Sequence, residues 1–287
     1  MNRSVAFIPR EARFSPGSVE KDAAILSAVR TQLMEHSQYV EVEQDEVTDV
    51  CLAMCRGEAA LQRLEQLERR HVLVMNKVEA IRWCHQRARL MSLLETNNIP
   101  VPPQLDSEAD EPGDSSGKHH GYWVKRGDNC AETAMDVQYA PDRETAIRLR
   151  DQMLSCGAAA TDVRRHIPGD LLKFYAVRGT GFFRYYYPTA IDAGDANSGE
   201  NKVGKFGVER YNGQPHYYSF DKDQLEELAR RAADLVQLDI YGGDCIVRPD
   251  GQLVMIDLND WPSFSRCRQE AAEAIARRIM QQVENSE

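Results

Sequence analysis

The residues best placed to do chemistry are two aspartates and an asparagine in Tyr241 to Phe264, YGGDCIVRPDGQLVMIDLNDWPSF. Asp257 and Asn259 stand at i and i+2, so on a strand both side chains leave the same face. Asp244 lies on the preceding apolar run. Two carboxylates and an amide oxygen are hard donors. They suit Mg²⁺, which shares the rest of its octahedron with water and phosphate oxygens. Taken singly, each is equally well explained as a loop cap or a solvent-facing group.

The neighbouring residues must supply two strands. Tyr241 to Val247 and Leu253 to Leu258 are rich in Ile, Val, Leu and Met, and Arg248-Pro249-Asp250-Gly251 sits between them. Pro presets its own φ and Gly accepts a positive one, so this is a turn. Register then decides the chemistry. An even loop centred on Asp250-Gly251 sets Asp244 opposite Asp257, where like charges repel unless a cation joins them. A three-residue loop with Gly251 as a bulge shifts the pairing by one and sends the aspartates to opposite faces. The sequence leaves both open.

A chain of 287 residues allows one large domain or two to three small ones. Hydrophobic residues at 42% and charged residues at 28% predict an ordinary packed core. The net charge of −10 argues against nucleic-acid binding, as does the absence of a Lys/Arg block. It does not forbid a basic pocket for a small anion. No apolar run nears the ~18 residues of a membrane span. The opening MNRSVAFIPREARF meets charge too early for a signal peptide. Seven dispersed cysteines form no Cys-x-x-Cys pair, and Cys51 and Cys55 have no accompanying His or Cys cluster. The expectation is a cytoplasmic protein without zinc or membrane contact. A homodimer stays open.

Residues 1–100 alternate strand and helix, which predicts an open, mostly parallel sheet. Strands are expected at Ser4 to Ile8, Tyr39 to Val42, Val50 to Met54 and His71 to Met75, with a helix over Val19 to His36 and another after Gly57. Asn76 is expected to cap one long helix, Lys77 to Glu95. In such sheets ligands bind beyond the carboxyl ends of the strands. Arg10 and Arg13 follow the first strand, where they could hold an anion bidentately or pair with surface acids. Asp106 to His120 is acidic and Gly/Ser-rich, a mobile loop ending in a solvent-exposed His119-His120 pair. Tyr122 to Lys125 and Asp136 to Tyr139 read as strands and Pro141 to Ser155 as a helix. Leu171 to Val177 and Phe182 to Tyr187 form a hairpin carrying Lys173 and Arg184, either outward-facing or functional. Asp192 to Gly207 is a loop with Lys202 and Lys205, either solvated or closing over phosphates. Asp221 caps a helix through Val236, and Arg266 to Val283 is the last helix.

Residues 71–287 together resemble ATP-grasp enzymes. The likeness runs through Asn76-Lys77, NNIPVPP at Asn97 to Pro103, Lys125, Lys173 and the Asp244…Asp257-x-Asn259 hairpin. Residues 1–75 resemble the small αβ domain preceding the grasp. The resemblance implies an α/β protein, α+β in its C-terminal part. It implies an ATP-grasp fold with an N-terminal Rossmann-like pre-ATP-grasp domain over 1–100. The ATP-grasp domain would span 101–287, with a lid at about 119–166. It implies ATP and Mg²⁺ as cofactors. Lys125 and Lys173 would meet the nucleotide phosphates, Arg164-Arg165-His166-Ile167 the adenine, and Asp244, Asp257 and Asn259 the metal.

Two departures bear on the reaction. The superfamily's ligases usually end in Glu-x-Asn and carry a Gly-rich lid loop. Here the end is Asp257-Leu258-Asn259, and RGDNCAETAM has only Gly127. Both resemble the inositol-trisphosphate kinase branch, as does the Trp261-Pro262-Ser263-Phe264 ending. The first reading is a ligase that activates a carboxylate as an acylphosphate for attack by an amine or thiol. The alternative is a kinase acting on a hydroxyl of a polyol or inositol phosphate. Either reading gives Arg184 and Lys173 catalytic roles. The small-molecule or peptide substrate would meet Arg10, Arg13, Trp261 and Ser263.

Overall fold

The computed structural model describes residues 2–15, 17–43, 48–106, 121–188 and 211–285. Three sheets surround one cleft. The first is wholly parallel: β1 (Arg3–Ile8), β2 (Tyr39–Glu41), β3 (Val50–Ala53) and β4 (Leu73–Met75), in the order β2-β1-β3-β4. Its helices are α1 (Val19–Met34) and α2 (Glu58–Arg69), the latter burying Leu61 and Leu64.

The expected helix from Lys77 to Glu95 is two helices, α3 (Val78–His85) and α4 (Arg87–Thr96). Gln86, with ψ 64°, leaves the helical region between them. The Ala88 N–H, an orphan donor in the first turn of α4, goes to the Gly127 carbonyl at 3.1 Å. Tertiary bonding to the next sheet therefore supplies the break, and neither Pro nor Gly announces it. Asn76 is not the cap that the sequence suggested. The N-cap of α3 is Lys77, without a side-chain bond, and Glu68 Oε1 accepts the Val78 N–H at 2.9 Å.

The second sheet is β5 (Tyr122–Arg126), β6 (Val137–Ala140) and β7 (Thr161–Arg165), antiparallel in the order β6-β5-β7. Helix α5 (Arg143–Ser155) covers it, capped by Asp142, which accepts from Thr145 N at 2.7 Å. No strand is expected from sequence at β7. The proline-rich segment runs beside it, with Leu105 N donating to Val163 O and Arg165 N to Pro103 O, both at 3.0 Å.

The third sheet is antiparallel: β8 (Asp170–Val177), β9 (Phe182–Tyr186), β10 (Ile240–Val247) and β11 (Leu253–Asp260), in the order β11-β10-β8-β9. Helix α6 (Lys222–Leu235) packs Leu225 and Leu228 on it and is capped by Asp221. Helix α7 (Arg268–Glu284) returns to the first sheet, where Ile275 and Ile279 share a core with Ile25, Val29 and Leu33 of α1. Conversely, Leu90, Met91 and Leu94 of α4 share a core with β8, β10 and α6. Packing thus crosses residue 100 in both directions, because the apolar faces of α4 and α7 are each covered in part by the other part of the chain. Among the described residues no helix is long and apolar enough to cross a membrane. Residues 107–120, with His119 and His120, and 189–210, with Lys202 and Lys205, lie outside the described residues.

Asn76 joins the first and third sheets. Its side chain is fully buried; Nδ2 donates to Ile240 O at 2.8 Å, and Oδ1 accepts from Asp239 N at 3.0 Å and Ile240 N at 2.8 Å. Asn76→Ala would leave the buried N–H groups of Asp239 and Ile240 without this partner, at roughly 1–3 kcal/mol each, while the Ile240 carbonyl keeps the Trp261 N–H at 3.2 Å. The expected result is a loss on the order of 3 kcal/mol or more in denaturant unfolding. An unchanged midpoint would show that Asn76 does not hold the sheets together.

Candidate active site

The β10–β11 hairpin combines both alternatives that the sequence left open. Its turn is the three-residue kind: Arg248 N donates to Gln252 O and Gly251 N to Arg248 O, both at 2.9 Å, with Gly251 at φ +82°. That turn alone would set Asp244 beside Ile256. A second irregularity lies between Asp244 and Cys245, where Ile256 is the extra residue, and the register steps on by one. Asp244 therefore faces Asp257, and Gly242 faces Asn259. The two offsets cancel, and the donors share a face. Gly243 is required beside them, since a Cβ there would come within 2.2 Å of the Asp257 carbonyl oxygen.

Each carboxylate has its own cation. Lys173, cross-strand from Asp244, places Nζ 3.2 and 3.4 Å from its oxygens. Arg87, in the first turn of α4, sits 3.4 Å from both oxygens of Asp257. Asn259 Nδ2 donates to Asp257 Oδ2 at 3.2 Å. Burial opposes ionisation of Asp257, but Arg87 and Lys125 outweigh it and hold its pKa below the ordinary value. Lys125 crosses from β5 to donate to the carbonyl of the bulged Ile256 at 3.3 Å. Burial, then Arg87, lowers the Lys125 pKa.

This donor set fits Mg²⁺. Two carboxylates and an amide oxygen leave most of an octahedron to water and phosphate. Among the described residues no cluster of three His, Cys, Asp or Glu side chains exists, so a fully protein-ligated metal has no support there.

These groups line a cleft of about 540 Å³, within the range of small-molecule sites. Nine Lys/Arg and five Asp side chains line it, so the pocket is basic on a chain of net charge −10. Ile167, Leu171, Ile246 and Ile256 give one side an apolar wall. Trp123 borders it, donating its indole N–H to His166 Nδ1 at 3.0 Å.

Of the residues singled out from sequence, Arg10, Lys125, Arg164, Arg165, His166, Ile167, Lys173, Asp244, Asp257, Asn259 and Ser263 line this cleft. Three do not. Arg184 lies outward on β9, ion-paired with Glu270 of α7. Arg13 is exposed and stacks on Phe14, 4.4 Å from the ring centroid. Trp261 is wholly buried, its indole donating to Met75 O at 3.1 Å, so it is a core residue. Arg164 borders the cleft, yet its guanidinium is spent on Asp162 at 2.8 Å and Pro102 O at 2.7 Å.

Sequence reading missed Arg87, Arg56 and Asp260. Arg56 Nη2 holds the fully buried Asp260 at 2.7 Å, and Arg10 approaches the same carboxylate at 3.9 Å. Asp260 adjoins Asn259 and could have been suspected. Arg56 and Arg87 carry no local signal, since only tertiary folding brings β3 and α4 to the hairpin.

No protein-family model matches the sequence, and no curated protein matches it. Solved structures do. The D-alanine–D-alanine ligase from Bacillus anthracis complexed with ATP matches at TM-score 0.65 and 11% identity, over 99% of this chain and 100% of that one. An ATP-grasp RimK domain protein from Sphaerobacter thermophilus matches at 0.59 and 17%, over 96% and 99%. D-cycloserine synthetase DcsG matches at 0.57 and 16%, again over 96% and 99%. The chain has the ATP-grasp fold, α/β in class.

Beside Arg56 and Asp260, His85 is buried. Burial, then Arg56, pushes its pKa down to about 4. The unfolded chain, with an imidazole pKa near ~6.5, then binds the extra proton first as pH falls. His85's contribution is complete above that value and is lost as pH drops toward 4. It is worth at most about 3 kcal/mol. His85→Gln should flatten unfolding stability against pH between those limits. An unchanged acid slope would rule His85 out as its source.

Proposed function

We propose that this chain is an ATP- and Mg²⁺-dependent ligase that activates a carboxylate as an acylphosphate for attack by an amine or thiol. One observation carries the reading: two facing carboxylates lie in a basic cleft, with Lys125, Lys173 and Arg87 at 3.2–3.4 Å from them or from the adjoining backbone. The similar folds named for D-alanine–D-alanine ligase and D-cycloserine synthetase support ligation. The seven free cysteines are in keeping with a cytoplasmic protein.

The nucleotide base fits against Ile167, Leu171, Ile246 and Ile256, beside Arg165 and His166. Lys125 and Lys173, which line the cleft, would contact the phosphates of a nucleotide bound there. Bound Mg²⁺, held by Asp244, Asp257 and Asn259, would neutralise charge on the phosphate oxygens. Arg87 takes the part first given to Arg184. It is fixed in a buried place, where a cation stabilises transferring charge far more than in water. The kinase alternative draws on the Asp257-Leu258-Asn259 and Trp261-Pro262-Ser263-Phe264 endings and on the glycine-poor lid loop. Of these residues Trp261 and Phe264 are fully buried and accounted for by packing, whereas Pro262 and Ser263 line the cleft.

The thermal midpoint should rise with ATP and rise further with Mg²⁺; ligand at about 100 times its Kd stabilises by roughly 2.7 kcal/mol. Asp257→Asn should remove the Mg²⁺-dependent part, and Lys173→Gln should weaken ATP with or without the metal. Turnover should release ADP and phosphate only when a carboxylic acid and an amine or thiol are both supplied. A stable phosphoester product would instead establish a kinase.

A further inference from the structure

The connection from β5 to β6 runs from Gly127 to Asp136 and puts Cys130 and Ala131 into the wall of the cleft, where both are buried. It starts beside two cations of the site. Lys125 stands two residues before it, and Ala88, whose N–H is bonded to the Gly127 carbonyl, follows Arg87. A loop that closes over a ligand is free to move when the site is empty, and glycine gives such loops their freedom. Gly127 is the one glycine of this connection, and it serves a different purpose. Its φ lies outside the left-handed range, and a Cβ there would come within 2.9 Å of both Ala88 Cβ and the carbonyl carbon of Thr161. Gly127 N also donates to Ala160 O at 2.8 Å. The glycine lets α4 and the start of β7 approach closely; it fixes the chain instead of loosening it.

Two carboxylates fasten the rest. Asp128 accepts from Ala159 N and from Arg126 Nε, both at 3.0 Å. Asp136, only 9% exposed, accepts at one oxygen from Glu132 N at 3.0 Å, Thr133 N at 2.8 Å and Thr133 Oγ1 at 3.0 Å. Thr133 Oγ1 accepts in turn from Met135 N at 3.2 Å, completing a capping box. Between the two carboxylates, Asn129 Oδ1 accepts from Cys130 N at 2.9 Å. The backbone N–H groups of Gly127, Cys130, Glu132, Thr133, Met135 and Asp136 are therefore all engaged within the protein. A flap that opens gives such groups to water, whereas a folded segment keeps them.

We infer that the connection from Gly127 to Asp136 is a preformed wall of the cleft and not a flap that closes on the ligand, and that Asp136 is the positioning residue that keeps it folded. Ordering a mobile flap costs backbone entropy at the moment of binding; a wall folded beforehand removes that cost. The effect on nucleotide affinity rests on the reading of the cleft as an ATP site, while the folded wall itself does not.

The test is backbone hydrogen exchange, read by mass spectrometry on peptides covering residues 127–136, in the free protein and with a non-hydrolysable ATP analogue plus Mg²⁺. In the free protein the segment should exchange about a hundredfold or more slower than the same peptide under denaturing conditions, and the analogue should slow it further by less than about tenfold. Asp136→Ala should speed this exchange by about tenfold or more and leave peptides of β10 unchanged. It should also raise the Kd of the analogue by about tenfold or more, a loss that a residue serving stability alone would not cause while β10 stays protected. Thr133→Val removes only an exposed hydroxyl, and should speed exchange of the segment by about threefold or more even if Asp136→Ala fails to fold. A segment that is unprotected until the analogue binds would overturn the inference, as would slowing by the analogue of tenfold or more. Unchanged exchange in a folded Asp136→Ala protein would take the positioning role from Asp136. If the analogue does not bind, exchange in the free protein still decides the wall, and the ATP reading falls by itself.

Discussion

Two aspartates placed face to face on paired strands are an unfavourable arrangement, and much of this molecule exists to hold them there. Like charges directly across a ladder destabilise the pair. The hairpin offsets this with one cation on each carboxylate, Lys173 from the neighbouring strand and Arg87 from α4. Neither cation could reach without its element. Lys173 needs β8 in register with β10. Arg87 needs the break at Gln86, which lets α4 start beside the hairpin.

The same dependence explains the cross-packing of the parts. Sheet three meets sheet one through Asn76 and the Arg10–Arg56–Asp260 cluster and sheet two through Lys125, while the Gly127 carbonyl ties sheet two to α4. Every one of these contacts ends within a few residues of Asp244, Asp257 or Arg87, or on Ile240 at the start of β10. Binding at the cleft is therefore mechanically coupled to how the three sheets sit. A ligand that draws Lys173 or Arg87 away from its carboxylate must supply compensating charge, and phosphate oxygens with a divalent cation supply both signs at once.

Much of this was legible in the sequence, for physical reasons. Strand and helix periodicity placed most elements, including the Lys173–Arg184 hairpin, and the Asp221 cap was read from its residue type, whereas Asp142 stood inside the expected helix. Hard oxygen donors at i and i+2 marked one face of the hairpin, and the structure brings Asp244, Asp257 and Asn259 to that face. Register was not legible, because a turn and a bulge contributed opposite shifts and only the turn has a local signature. Arg184 was misplaced because both edges of a strand look alike in sequence. Its Glu270 partner lies on α7, whose position is set by the first sheet. Trp261 looked like a substrate contact from its place in the motif, but its indole N–H had a buried carbonyl waiting at Met75. Arg56 and Arg87 were invisible, since nothing near them in the chain says where they end.

The return of α7 across α1 has a consequence for biosynthesis. The sheet made first has its apolar cover made last. During translation at about 5–20 residues per second, the first strands and α1 wait on the order of ten seconds or more before α7 emerges. Ile25, Val29 and Leu33 are without that part of their final surroundings in the interval. Until α7 has been made, the nascent chain presents that apolar helix face to its surroundings.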